Sequence, residues 1–222
     1  MEDPEFDLIM AIADGNEEAF EQLVRRYQKP VMAFVHRYIG DVHLAQDLAQ
    51  EVFLQIFQAA PRFKPKGMVS SWVFKIAYNR SANELKRRKR MYHFLAEILS
   101  GDRDIWGRTL TDPRSEARTK ELEERLTPAL MELPEKQRAA MLLEVNQGLS
   151  YREIGKVLAV SVASVESLIF RARSRLKQLV GASMRIPLLR VGGSWLRFKN
   201  IRQTADWQDV RSTEWNVARR EE

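Results

Sequence analysis

The residues of this sequence best suited to chemistry are cations set beside aromatics and amides. Lys86-Arg87-Arg88-Lys89-Arg90 is an unbroken basic run. On a helix, five successive charges spread around the axis and cannot all pack inward, so they are suited to tracking phosphates. Before them stand Lys75, Tyr78, Asn79 and Asn83, and earlier still the segment Phe63-Lys64-Pro65-Lys66-Gly67. Rings interleaved with cations supply stacking and phosphate attraction together, which is what an unpaired nucleic-acid strand requires. Phe63, Trp72, Phe74 and Tyr78 would serve equally well as core, and for Trp72 burial is the preferred expectation.

A second set of such residues lies between Gly148 and Leu179. Pro134 suits the start of a helix over 135–147, and Gly148 suits its left-handed stop. Ser150-Tyr151-Arg152-Glu153 has the spacing of a capping box, with Leu149 placed to staple onto Ile154. That helix ends near Leu158, and after a three-residue link Ser161 can cap another. Two helices joined by so tight a turn form a helix-turn-helix. On the second of them Val165, Leu168, Ile169, Ala172, Leu176 and Leu179 recur as a buried stripe, leaving Ser164, Ser167, Arg171 and Ser174 outside, flanked by Arg173. Small hydroxyls near the helix start allow close approach to base edges, and guanidinium groups beyond reach guanines or phosphates. A solvated face of a plain helical hairpin is the bland alternative, and Glu166 counts against phosphate attraction at its own position.

The helix over 42–58 has two unlike sides. Leu44, Leu48, Val52 and Ile56 form an apolar stripe widened by Ala45, Ala49 and Phe53. Opposite, Asp47, Gln50, Glu51 and Leu54 follow at i, i+3, i+4 and i+7, a leucine framed by carboxylates and amides that suits protein docking. On these residues alone, a solvated face with one exposed leucine is the simpler account.

The elements that must position these residues are helices. The periodicity over 5–90 predicts four or five of them, punctuated by Gly15, Pro30, Gly40 and the 61–67 stretch. Residues 91–115 lose that period and carry turn chemistry, a second helical block covers 116–180, and 181–222 holds Trp195, Trp207 and Trp215 without sustained period. The expected architecture is therefore all-α: two small helical domains joined by a flexible linker, the second containing the helix-turn-helix, with a C-terminal extension of unassigned role. With 222 residues, 45% hydrophobic, the chain can bury real cores, and a net charge of +6 suits a polyanionic partner. Cysteine is absent and only three histidines occur, so thiolate metal sites, disulfides and cysteine nucleophiles are excluded. No phosphate loop or metal-ligand spacing is present, which argues against an enzyme and against any metal or cofactor. The acidic start lacks an apolar signal segment and no stretch reaches membrane-spanning length, so a cytoplasmic location without membrane insertion is expected.

In this order the segments resemble the extracytoplasmic-function sigma factors of the sigma-70 superfamily, regions 2 and 4, over residues 5–180. Ala19 to Tyr27 is similar to the opening region 2 helix, and Ala45-Gln46-Asp47-Leu48-Ala49-Gln50-Glu51-Val52-Phe53 to the polymerase-binding signature. The resemblance implies that Asp47, Gln50, Glu51 and Leu54 dock core RNA polymerase, reversing the simpler account of that face. Phe63 to Gly67 with Ser71 to Asn79 is similar to the −10 recognition and melting element. The implied −10 contacts are Phe63, Lys64, Lys66, Lys75, Tyr78, Asn79, Asn83, Lys86, Arg87 and Arg88. Leu133 to Arg138, the Leu149 to Glu153 box and Val160 to Arg173 resemble region 4, implying that Ser164, Ser167, Arg171 and Arg173 read the −35 duplex. Gly155 and Ala159 depart from the family, which usually carries Ala and Gly there. The implied domains are region 2 over 1–90, a linker over 91–115, region 4 over 116–180 and the extension over 181–222. The implied partners are core polymerase, promoter DNA that is duplex at −35 and single-stranded at −10, and an anti-sigma protein. The function expected is promoter-specific initiation of transcription, against the alternative of a stand-alone helix-turn-helix regulator binding operator DNA.

Overall fold

The computed structural model describes residues 5–64, 67–99 and 126–180, and among them every regular element is helical. The all-α expectation is met. Helix α1 spans Phe6–Ala13 and α2 spans Glu17–Ile39. The α2 start is capped by Asn16, whose Oδ1 accepts from the Ala19 N–H at 3.0 Å, and Gly40 ends it in the left-handed region. Helix α3, Val42–Ala59, begins on the Asp41 carboxylate, which accepts from Leu44 N–H. After a 3-10 turn over Ala60–Arg62, α4 runs through Val69–Leu99.

Helix α4 continues past Arg90, so the opening residues of the expected linker are helical up to Leu99. No glycine or proline interrupts 91–99, and turn residues begin only at Ser100-Gly101. Calls on 100–125, on Lys66 and on the extension over 181–222 lie outside the described residues.

The first module is α1 to α4. Its core joins Leu23, Val31, Phe34 and Val35 of α2 to Leu48, Val52 and Ile56 of α3 and Val73, Phe74 and Ala77 of α4. Phe34 stacks on Tyr38 with ring centroids 5.8 Å apart and meets Phe74 edge-on at 5.7 Å. Such offset and T-shaped pairs add to the burial of the rings themselves.

The second module holds helical residues 126–131 (α5), α6 over Glu135–Gln147, α7 over Tyr151–Leu158 and α8 over Val162–Val180. Gly148 stops α6 in the left-handed region, and both halves of the Ser150–Glu153 capping box form. The Ser161 hydroxyl caps α8 by accepting from Ser164 N–H at 3.2 Å. Val165, Ile169, Ala172 and Leu176 are buried as the period requires. Leu179, expected on the same stripe, is exposed, so the buried stripe stops at Leu176.

The turn between α7 and α8 has an unusual division of labour. Ala159 takes the left-handed conformation at φ 53, and Gly155, one turn earlier, accepts from the Val160 N–H at 3.0 Å. A Cβ on Gly155 would lie 2.8 Å from the Val160 carbonyl oxygen. Glycine is therefore needed inside the helix for space, although alanine occupies the strained position. Gly155→Ala is expected to destabilise the protein by about 1–3 kcal/mol through overpacking. Ala159→Gly is expected to stabilise it by up to about 1 kcal/mol, relieved left-handed strain outweighing glycine's larger entropy loss. Thermal melts of the two variants should therefore shift in opposite directions.

Candidate nucleic-acid interface

Asp47, Gln50, Glu51 and Leu54 are all exposed on the side of α3 away from its core stripe. Leu54 is 58% exposed, and Phe57, three residues on, is exposed beside it with its ring edge against Phe20 at 5.1 Å. The face thus carries two apolar side chains, and Phe57 was missed in the sequence although its i+3 spacing from Leu54 marks it. The Glu51 carboxylate is engaged by Arg80 of α4, which ties the acidic stripe to the neighbouring helix.

On α4 the candidate residues separate into two groups. Lys75, Asn79, Asn83, Lys86 and Arg87 are exposed along one line of the helix, at i, i+4, i+8, i+11 and i+12. Glu84 holds Arg87 through two hydrogen bonds, 2.7 and 2.8 Å, and also accepts from Arg88. The Arg87 hydrogen bond holds the Glu84 carboxyl below its usual range, with Arg88 adding to it and partial burial opposing it. Arg88 additionally reaches Asp41 at the α3 cap, so this cation is partly spent on bracing the module. Tyr78 does not join the outer line. It is half-buried, its ring lies edge-on to Tyr38 at 5.9 Å, and burial followed by the charge of Glu135 pushes its hydroxyl upward.

Phe63 packs against Trp72 at 4.8 Å and Phe6 at 5.9 Å between ring centroids. Trp72 is half-buried in that cluster, while Lys64 is exposed. The aromatic cluster lies at the base of the segment that precedes α4, and Lys64 is exposed beside it.

On α8, Ser164, Ser167 and Arg171 are exposed on one face. The Ser164 hydroxyl lies 2.8 Å from that of Ser161, and Arg171 folds back so that its Nε donates to the Ser167 carbonyl at 3.1 Å. Arg173 departs from the expectation. It points back to α6, where its NH2 group donates to both carboxylate oxygens of Glu144 at 2.9 and 2.8 Å, partly buried. Two residues beyond Arg171, a helical side chain is rotated about 200° away, toward the buried stripe, so its charge pins α8 to α6. Phe170, 72% exposed, stands among the serines of the outer face. No sequence argument singled it out, because a phenylalanine at helical spacing ordinarily reads as core.

These faces offer hydrogen-bond donors, cations and exposed rings. Among the described residues no group of acidic, histidine or cysteine side chains is arranged to hold a metal, and no helix is long and apolar enough to cross a membrane.

The family model for Sigma-70 region 2 matches residues 23–91, and that for Sigma-70 region 4 matches residues 123–176. The chain is 31% identical to the RNA polymerase sigma-H factor of Pseudomonas aeruginosa over 189 residues, covering 82% of this chain and 94% of that protein. It is also 31% identical to the ECF RNA polymerase sigma-E factor of Escherichia coli K12 over 179 residues, covering 78% and 92%. Among solved structures, CnrH in complex with the cytosolic domain of CnrY superposes with a TM-score of 0.61 at 26% identity, over 82% of this chain and all of that one. The sigma factor RpoE of Bartonella quintana, solved with the anti-sigma factor NepR, shares the fold with a TM-score of 0.60 at 20% identity, over 74% and 98%. The two-module helical architecture, the matched regions and the relatives aligned along nearly their whole length converge on one conclusion: the chain belongs to the extracytoplasmic-function RNA polymerase sigma factors of the sigma-70 family.

Proposed function

We propose that the chain joins core RNA polymerase through the outer face of α3 and directs it to promoters whose −10 strand is held by α4 and whose −35 duplex is read by α8. The observation that carries this is the exposed Leu54 and Phe57 pair within the Asp47, Gln50 and Glu51 stripe. Exposed apolar groups rimmed by polar ones mark a docking surface, which a stand-alone operator-binding regulator does not require on this helix. Leu54 would enter a pocket on the polymerase while the carboxylates and amide fix orientation.

At −10, Lys75, Asn79, Asn83, Lys86 and Arg87 support a continuous polar track for a single strand, with Phe63 and Lys64 before it in the chain and Lys66 proposed as a further contact through its charge. Tyr78 contributes from the edge and Arg88 through its charge. At −35, Ser164, Ser167 and Arg171 contact base edges and phosphates, and Phe170 adds an apolar surface suited to a thymine methyl group. Arg173 acts as a positioning residue for α8. The protein works as an initiation factor in the cytoplasm, without a cofactor, a metal or an enzymatic activity of its own. An anti-sigma protein is the further partner expected in this family, as for the neighbour solved with NepR.

Run-off transcription with core polymerase over a promoter library tests the function as a whole. Distinct start sites should appear only when the chain is added, and none appearing on any template would overturn it. Leu54→Ala is expected to weaken association with core polymerase roughly tenfold, an ordinary effect for one buried apolar anchor, with its melting temperature unchanged. Arg171→Ala is expected to cost about 1–3 kcal/mol at one −35 position. That is roughly 5- to 150-fold in promoter-specific initiation. Arg173→Ala should instead lower the melting temperature, by about 2 kcal/mol of stability since the pair is only partly buried, and leave promoter preference intact. A promoter-preference change for Arg173→Ala in place of a stability loss would remove it from the positioning role.

A further inference from the structure

The outer surface of α8 is not uniformly cationic, because its two flanks carry opposite charge. On one flank Arg171 shares a shallow depression of about 350 Å³ with Lys136 of α6, Ser164 and Ser167. On the other stands Glu166, exposed one helical turn before Phe170. At about 100° per residue, Glu166 lies roughly 40° from Phe170 around the axis and roughly 140° from Arg171, so the two charges leave the helix on different sides.

Among the described residues no cation pairs with the Glu166 carboxylate. Arg173, seven residues on and on the same flank, gives its terminal nitrogen to both carboxylate oxygens of Glu144 at 2.9 and 2.8 Å. Tyr151 of α7 is near enough to feel the acid: its hydroxyl is pushed upward by burial first, then by Glu144, with Glu166 adding to it. Glu166 therefore stands beside α7 in the second turn of α8, as an exposed and unneutralised carboxylate. In a helix-turn-helix, residues near the start of the second helix are the ones that reach base edges.

A carboxylate there is selective about its neighbours. It repels phosphates, and as an acceptor without a proton it gains nothing from guanine O6 and N7 or thymine O4. Two kinds of donor reach the major groove. The adenine amino group sits beside the N7 acceptor of its own base, whereas the cytosine N4 amino group has no acceptor beside it on its own ring. A carboxylate pressed against any other base loses water and finds no partner, which costs more than an ordinary hydrogen bond contributes. Discrimination thus comes from rejection as well as attraction.

We propose that Glu166 is a specificity-determining residue of α8, accepting a hydrogen bond from the N4 amino group of one cytosine in the −35 duplex and rejecting the other bases at that position. The proposal rests on the promoter reading above and adds to it the base that one position selects.

The test is initiation by core polymerase with the full chain on a promoter library randomised across the −35 element, with transcripts counted by template. The wild-type chain should prefer cytosine, on one strand or the other, at one −35 position by roughly tenfold, within the range of a good base contact. Glu166→Ala should lose that preference and keep those at the remaining positions. Glu166→Arg should turn the same position toward guanine, whose O6 and N7 accept from a guanidinium. Both variants should melt as the wild type does, since Glu166 is exposed. A Glu166→Ala chain that keeps every wild-type preference overturns the proposal. So does one whose initiation rises evenly on all templates, the behaviour of a carboxylate that only repels the backbone. No initiation by the wild-type chain on any template overturns the promoter reading itself and the proposal with it.

Discussion

Helix α4 must satisfy opposing demands along a single rod. One side has to be apolar enough to hold α2 and α3, which Val73, Phe74 and Ala77 accomplish. Another is exposed and polar, the line of Lys75, Asn79, Asn83, Lys86 and Arg87. Its third side meets α6 and α7 of the second module. An α-helix repeats every 3.6 residues, so each side obtains only about one residue per turn. Every substitution on α4 therefore belongs to one of three interfaces, and the whole protein is organised around which residue falls where.

The same economy governs the cations. A basic run reads as uniform charge, yet the structure divides it: Arg87 and Arg88 share Glu84, Arg88 reaches Asp41, and Lys89 crosses to Glu135. On α8, Arg171 stays outside and Arg173 turns inward to Glu144. Charges that brace the scaffold are held close to their carboxylate partners and so fix the helices that carry the remaining cations. Exposed pairs of this kind contribute little stability individually, so their value lies in geometry. The partly buried Arg173 and Glu144 pair and the buried Arg138 differ, because removing one member strands the other away from water.

Much of this is legible in the sequence. The capping box at Ser150, the Gly40 and Gly148 stops and the α3 stripes follow from local rules that act over four or five residues, and they appear as expected. The exposure of Asp47, Gln50, Glu51 and Leu54 followed from the same period, whereas on those residues alone a solvated face was the simpler account and only the family resemblance pointed to docking. What escaped depends on distant partners. Nothing near Arg173 in sequence announces Glu144, and nothing near Tyr78 announces Tyr38 or Glu135. Phe170 and Phe57 escaped for the opposite reason, since an aromatic at helical spacing is ordinarily core and only burial reveals otherwise. The Gly155 and Ala159 exchange could be noted as a departure from family habit. Its compensation, a glycine making room for the Val160 carbonyl, needed the packing.

The central claim is that this chain gives core polymerase the ability to open promoter DNA at −10, using the exposed track on α4. Permanganate reactivity of thymines across the −10 region measures this most directly, because only unpaired thymines react. Core polymerase and the chain together should produce reactive thymines confined to that region, with neither component alone producing any. Tight binding of promoter duplex by the chain alone, with no thymine becoming reactive when polymerase is added, would contradict the account.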